Sequence, residues 1–399
     1  MKTHVKALVV GGGAVGTSIA YHLARAGWDD VMLLERDELT SGSTWHAAGL
    51  LPLFNMSFAT THIHQYSVEF YKTLEAETGL NAGFSIVGNL RMAQTQARMD
   101  EYMVYATTAE TCGVPYEWLR PAQIKERYPL VRTEDLVGAI YHPTDGAKWY
   151  VREERGGWIL GPYERNAPAR FEYAVPDSFR ADLFQLDLER IEEEYMSMIH
   201  RIPSSETVGL KDDYNGPICY TPDGNPLVGP APGLRNMWIA EGFSFGITAA
   251  GGTGYYLAQM MVEGEAEIDM ASLDPKRYGD WMTTEYAARK NEECYEHVYI
   301  LHHPDEEREA CRPLRTAPAY DRQKALGAQF GCVNGFERPN YFGPLDANDN
   351  FDHEARSFRR GGWWQYAVDE AKAIREGVGL IDATAFTKHI VKGPGATAF

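Results

Sequence analysis

Val5-Lys6-Ala7-Leu8-Val9-Val10-Gly11-Gly12-Gly13-Ala14-Val15-Gly16 decides the fold, because a short apolar run passes straight into Gly-x-Gly-x-x-Gly, with Gly11, Gly13 and Gly16 in the glycine places. That order predicts a strand, a tight turn and a helix. Gly11 permits the turn, Gly13 leaves room for a phosphate, and Gly16 lets the helix through Ile19, Leu23 and Ala26 pack closely on the strand. The first amides of that helix, around Ala14 and Val15, then face the anion. Gly27 follows the helix as its C-terminal stop. A second apolar run, Val31-Met32-Leu33-Leu34, ends at Glu35, where this βαβ unit expects an acid to bond a ribose hydroxyl. An acid there suits an unphosphorylated ribose, so FAD and NAD both fit and NADP does not.

The next loop, Ser41-Gly42-Ser43-Thr44-Trp45-His46-Ala47-Ala48-Gly49-Leu50, separates the two cofactors. Together with the glycine turn it resembles the D-amino-acid-oxidase-like flavoproteins, and most closely their dimethylglycine and sarcosine dehydrogenase branch. The resemblance implies FAD rather than NAD, with Ser43 and Thr44 near the pyrophosphate and His46 joined through a ring nitrogen to the 8α-methyl of the flavin. A neutral imidazole is a competent nucleophile toward that carbon. Arg36, Gly49 and Leu50 complete the cofactor contacts implied on this side.

A second stretch resembles the same family. Thr221-Pro222-Asp223-Gly224-Asn225-Pro226-Leu227-Val228-Gly229 leads to Met237-Trp238-Ile239-Ala240-Glu241-Gly242-Phe243-Ser244-Phe245-Gly246-Ile247. A strand ending at Gly242 and a helix opening near Gly246 return the chain to the FAD domain. The helix N-terminus then meets the flavin pyrimidine edge, where reduction leaves negative charge. Gly242, Phe243, Gly246 and Ile247 are therefore expected on the cofactor side.

What the resemblance implies for the whole chain is an α/β protein, α+β overall. A Rossmann-like FAD-binding domain with an inserted antiparallel substrate domain is expected over residues 1–270, a small central domain over 271–330, and the start of a T-protein-like folate domain over 331–399. The central region includes Arg312-Pro313-Leu314-Arg315-Thr316, and Phe358-Arg359-Arg360-Gly361-Gly362-Trp363-Trp364 and Val378-Gly379-Leu380-Ile381-Asp382 carry the likeness to the folate domain. Tetrahydrofolate belongs to full-length relatives and is not expected here. In the family, a segment like His142-Pro143-Thr144-Asp145-Gly146 continues into a long stretch that completes the FAD sheet. Here Ala147-Lys148-Trp149-Tyr150-Val151-Arg152-Glu153 follows at once and resembles a strand from much later in the substrate domain, so the sequence reads as internally deleted at 146/147.

The implied activity is oxidation of a secondary or tertiary N-methyl amine such as dimethylglycine or sarcosine. Hydride passes to flavin N5, and the electrons go on to an electron-transfer flavoprotein or oxygen. Tyr150 and Arg152 are the catalytic candidates, since a substrate carboxylate needs a cation and the family keeps aromatic and basic groups on this strand. An exposed strand residue and a core aromatic account for them equally well. Two competing readings stay open: an NAD-dependent dehydrogenase built on the same turn, and a non-catalytic relative that binds FAD weakly or not at all.

Composition sets outer bounds. At 399 residues with 44% hydrophobic content the chain exceeds one ordinary domain and supports real cores. A net charge of −18 argues against nucleic acid or an anionic membrane surface as partner. No run approaches the roughly 18 apolar residues of a membrane span, so no membrane insertion is expected. The first strand begins too soon for a signal peptide, and Cys112, Cys219, Cys294, Cys311 and Cys332 form no Cys-x-x-Cys, which fits reduced thiols in a cytoplasmic compartment. No metal is expected: His62 and His64 fall on different faces of a helix predicted over Thr60–Glu77, and the adjacent His302 and His303 do not readily share a tetrahedral site. Further elements predicted are a strand over Gly83–Ala93, helices from Thr95 to Cys112 and from Pro121 to Tyr128, a strand and turn over Trp158–Glu164, and an amphipathic helix from Phe184 to Ile199.

Overall fold

A computed structural model describes residues 2–53, 57–144, 150–154, 156–304, 306–333, 335–344 and 357–398, without the side chains of 150 and 152–154. The junction at 146/147 lies outside the described residues. The chain forms two compact units, Met1–Leu301 and His302–Phe399.

The first unit opens with strand β1 (Ala7–Val10), helix α1 (Ala14–Arg25) and strand β2 (Val31–Leu34), and β2 pairs parallel with β1 from Ala7↔Val31 to Val10↔Leu34. A helical crossover is what joins parallel neighbours. Strand alternation buries Ala7 and Val9 while leaving Leu8 51% and Val10 78% exposed on the opposite face, with Leu34 42% exposed beside them.

Helix α2 (Phe58–Thr78) starts on Ser57, whose hydroxyl accepts from the Thr60 amide, and stops at Gly79 with φ +72°. Strand β3 (Asn89–Ala93), helix α3 (Gln96–Thr111), strand β4 (Glu117–Leu119), helix α4 (Pro121–Arg127) and strand β5 (Gly138–His142) follow. They make an antiparallel sheet of order β3-β5-β4, buried on one side by Leu119, Ile124 and Ala139 and on the other by Tyr102, Ala106 and Ile140. The strand predicted over Gly83–Ala93 is shorter than expected: Gly88 sits at φ +77° and breaks it, which leaves Ile86 and Val87 exposed outside the ladder.

Strands β6 (Tyr150–Glu154) and β7 (Gly157–Gly161) form an antiparallel hairpin. The helix predicted from Phe184 begins late. Phe184 is instead bridged to Asn215, Asp187 accepts from the Arg190 amide to start a short 3-10 turn at Glu189–Ile191, and helix α5 runs Glu192–Arg201. Glu192, Glu193 and Glu194 then fall in the first turn, where negative charge complements the helix dipole.

Strands β8 (Leu227–Pro230) and β9 (Trp238–Glu241) pair antiparallel and lead into helix α6 (Gly246–Glu263), with helix α7 (Thr284–His297) beyond. The main core gathers on α6 with Ile19 and Leu23 of α1, Ala59 and Ile63 of α2, and Val228 of β8. Its small residues are what let the helices meet. A Cβ on Gly252 would lie 2.1 Å from the Ile63 carbonyl oxygen, and one on Gly254 would lie 2.3 Å from Ser18 Oγ. The Gly252 amide donates to Ser67 Oγ at 2.8 Å, so α6 is also hydrogen-bonded to α2.

In the second unit, helix α8 (Tyr320–Ala325) precedes the antiparallel pair β10 (Ala328–Val333) and β11 (Phe336–Phe342), and helix α9 (Trp363–Glu376) follows. Arg312 grips the buried Glu337 carboxylate through Nε at 3.0 Å and Nη2 at 2.7 Å, a two-pronged pairing that satisfies both charges. Among the described residues no helix is long and apolar enough to cross a membrane.

Candidate cofactor site

The glycine turn takes the form its sequence dictates. Gly11 has φ +107° and donates to the Leu34 carbonyl at 2.8 Å, while a Cβ on Gly16 would stand 1.9 Å from the Gly11 carbonyl oxygen. Only glycine at 16 lets α1 start so close to the turn. Gly13 is the N-cap of α1 with no side-chain cap, and no acid lies in the first turn. The positive end of a twelve-residue helix suits a phosphate. Val15 packs inward on the main core.

Glu35 reaches back over this turn. Its Oε2 accepts from the Gly12 amide at 2.6 Å, and its Oε1 accepts from Arg36 and Asp37 at 2.7 and 3.0 Å. These amides, Gly12 foremost, hold the carboxyl below its ordinary range, so it stays ionised with lone pairs left for a ribose hydroxyl. Arg36 turns its guanidinium to the Phe179 carbonyl at 3.1 Å.

The loop after β2 lies on the turn. Thr40 donates from its backbone to the Gly12 carbonyl at 3.0 Å, and Thr44 Oγ1 accepts from the Ala14 amide at 3.2 Å. A Cβ on Gly13 would come within 3.2 Å of that same hydroxyl, so the cradle between Gly13 and Thr44 is one that a side chain would fill. Ser43 Oγ donates to the Pro217 carbonyl at 3.5 Å. His46, two residues past Thr44, is half-buried, and burial pushes its imidazole toward the neutral form. Trp45 meets the ring edge-on at 5.5 Å. Gly49 turns the chain at φ +67°, and the Leu50 carbonyl accepts from Thr248 Oγ1 at 2.6 Å. That bond ties the histidine loop to the first turn of α6.

At the α6 end, Gly242 has φ +76° and a Cβ there would strike Thr221 Cγ2 at 2.5 Å. Phe243 packs on the main core, Gly246 opens the helix without a side-chain cap, and the Ile247 carbonyl accepts from Tyr71 Oη at 2.6 Å. A cavity of about 20 Å³ sits at this helix start, lined in part by Thr60, His64, Phe243 and Phe245. His64 is 1% exposed, and neither its Nδ1 nor Thr60 Oγ1 has a hydrogen-bond partner among the described residues. Burial pushes the His64 imidazole down to about 4, against the opposing pull of the Pro52 carbonyl.

The structure thus brings the glycine turn, Glu35, Thr44, His46 and the start of α6 into one connected set. The donors and cradle at Gly11–Gly16 suit the pyrophosphate and ribose of a dinucleotide. Tyr150 and Arg152 lie on β6, and their side chains are outside the described residues. Sequence reasoning weighed His64 only as a metal ligand and gave it no place at the cofactor site, and it did not single out Gly216, whose backbone lies against the His46 ring. The first carried only the signal of helical spacing from Thr60, and the second carried none beyond an Asn-Gly-Pro turn.

Comparison with known proteins gives the family. The family model described as FAD dependent oxidoreductase matches residues 6–148 and 144–260, two pieces that meet where the junction falls. The FAD dependent oxidoreductase central domain matches 263–317, and the GCVT N-terminal domain matches 319–399. Mitochondrial dimethylglycine dehydrogenase of Rattus norvegicus is 30% identical over 99% of this chain and 59% of its own length. The formaldehyde-forming 4-methylaminobutanoate oxidase of Paenarthrobacter nicotinovorans is 29% identical over 99% and 60%. The chain therefore spans about three-fifths of the length of these relatives. The 505 positions aligned with the rat protein take up about 395 residues here, which leaves about 110 of its positions unmatched. The L-proline dehydrogenase structure from P. horikoshii superposes with a TM-score of 0.57 at 20% identity, covering 69% of this chain and 98% of that one, a likeness of fold.

Proposed function

The chain belongs to the FAD dependent oxidoreductases, and on that premise we propose that it oxidises the N-methyl group of a secondary or tertiary amine such as sarcosine or dimethylglycine, with FAD carried covalently on His46. The observation that carries this reading is the bond from the Ala14 amide to Thr44 Oγ1, which seats the histidine loop on the phosphate turn. Two residues on, His46 presents a ring that burial keeps neutral, the state a nucleophile requires.

When bound, FAD would supply the two-electron chemistry by taking hydride from the N-methyl carbon, and the iminium left behind would be hydrolysed. The chain's own residues do the positioning. Gly13, Thr44 and the free α1 amides would hold the pyrophosphate and Glu35 the ribose, and the uncapped first turn of α6 would offer positive partial charge to a flavin that gains negative charge on reduction. The amine reacts as its free base, which a water-poor pocket favours. Electrons leave to an electron-transfer flavoprotein or to dioxygen.

The test is direct. Purified protein is precipitated in acid and the flavin absorbance of pellet and supernatant is compared; colour in the pellet supports the covalent bond. Native protein is then mixed anaerobically with sarcosine or dimethylglycine, and bleaching of the flavin bands reports turnover. Flavin found only in the supernatant removes the His46 linkage, and bound flavin that neither amine bleaches removes the substrate class.

One observation favours a second reading, that of a non-catalytic relative. Among the described residues the β1-β2 ladder has two strands and leaves Leu8, Val10 and Leu34 exposed, whereas doubly wound sheets are covered on both faces. Folded protein that emerges colourless and takes up no added FAD decides for it.

A further inference from the structure

Gly216 lies far from His46 in sequence and directly against it in space. A Cβ built on Gly216 would stand 2.5 Å from His46 Cε1, 2.8 Å from Nδ1 and 3.0 Å from Nε2. Contact with three ring atoms at once means that the backbone at Gly216 lies flush on the imidazole. Trp45 meets the ring edge-on, and Tyr214 in turn meets Trp45 at 6.0 Å.

The segment that carries Gly216 is pinned on both sides. The Asn215 carbonyl accepts from the Phe184 amide at 2.7 Å, and Asn215 Nδ2 donates to the Gln185 carbonyl at 2.6 Å. The Pro217 carbonyl accepts from Ser43 Oγ, in the histidine loop itself. Gly216 is not among the glycines with positive φ, so alanine meets no backbone penalty there. With the backbone held and permissive, what an added methyl displaces is the imidazole, which swings on two torsions.

We propose that Gly216 is a positioning residue that aims the His46 imidazole, and that this aim sets how fast the ring bonds to the flavin. The proposal rests on the covalent reading of His46 given above. In the bond-forming step one N–H of the imidazole and one C–H of the 8α-methyl break and an N–C bond forms. Two protons and two electrons pass to dioxygen, which leaves as hydrogen peroxide. Only the aim of the ring is asked of Gly216. A displacement of about 1 Å from a reactive alignment costs on the order of 100-fold in rate.

The experiment compares wild type, Gly216→Ala and Asn215→Ala. Each apoprotein is incubated with FAD in air, with total bound flavin measured after gel filtration and covalent flavin after acid precipitation. The decisive quantity is the ratio of covalent to total flavin against time, which general loss of structure does not move selectively. Gly216→Ala is expected to keep total flavin and to lower the rate of covalent incorporation roughly 100-fold; Asn215→Ala, which only loosens the segment, is expected to lower it less. An unchanged ratio in Gly216→Ala overturns the proposal. If that variant does not fold, Asn215→Ala decides, and an unchanged ratio there overturns it equally. Wild type that never acquires acid-stable flavin defeats the covalent reading itself, an outcome distinct from either.

Discussion

Lowering the pH from 7 to 5 should destabilise the first unit through His64 alone by an amount the structure allows one to work out. His64 is 1% exposed and burial holds its imidazole at about 4, whereas an unfolded histidine titrates near 6.5. Between those values the unfolded chain binds a proton that the folded chain refuses. Stability is therefore full above pH 6.5 and is lost as pH falls through 4. The whole shift corresponds to about 3 kcal/mol, of which about 2 kcal/mol is lost between pH 7 and 5. No charged side chain contributes to the shift, so salt should leave it nearly unchanged. His142, held at about 3, titrates in the same direction and adds to the total slope. His64→Gln isolates the term, since it removes one ionisation and leaves the others in place. Urea unfolding of both proteins at pH 5, 6 and 7 should show the gap between them closing by about 2 kcal/mol from pH 7 to 5. Parallel pH curves for the two proteins would falsify the reasoning, because they would mean that His64 is not held neutral in the core.

Two further expectations test the frame around the site. Gly252→Ala places a methyl 2.1 Å from the Ile63 carbonyl oxygen, an atom that cannot rotate away. It should cost about 3 kcal/mol, the upper end for overpacking, as read by a thermal midpoint, and a change under 1 kcal/mol would mean that α2 and α6 are not locked at this point. Replacing Leu8, Val10 and Leu34 together by threonine should leave stability within about 1 kcal/mol, since all three already face solvent, while reducing self-association seen by sedimentation velocity. Collapse of folding in the triple variant would show that the face is covered.

The parts of this fold that were legible in the sequence are those whose cause is local. Gly11, Gly13 and Gly16 constrain their own turn, Glu35 is fixed by the end of β2, and the Gly242–Gly246 break separates β9 from α6 within a few residues. Where a distant partner decides, periodicity misleads. Ile86 and Val87 look like strand, yet Gly88 turns the chain before β3 begins. Phe184 to Leu188 carries helical spacing, yet the Phe184 amide is taken by Asn215. His64 belongs with these: spacing placed it away from His62, but nothing in the sequence tells that Ile63, Ala249 and Phe245 close around it.

The same distinction divides the proposed site by origin. Its phosphate end draws its contacts from residues 7–44, one turn, one helix start and one hydroxyl, while β1 and α1 beneath them rest on the core around α6. Its flavin end is assembled from three remote pieces: the histidine loop, the Asn215–Pro217 segment and the start of α6. Loss of sequence between such pieces therefore bears unequally on the two ends, and about 110 positions of the rat relative have no counterpart here. On the proposed reading, covalent attachment asks for more pieces to meet than dinucleotide binding does. FAD held without a covalent bond is the state expected when only the remote pieces fail, whereas covalent flavin in acid-treated protein requires all of them to have met.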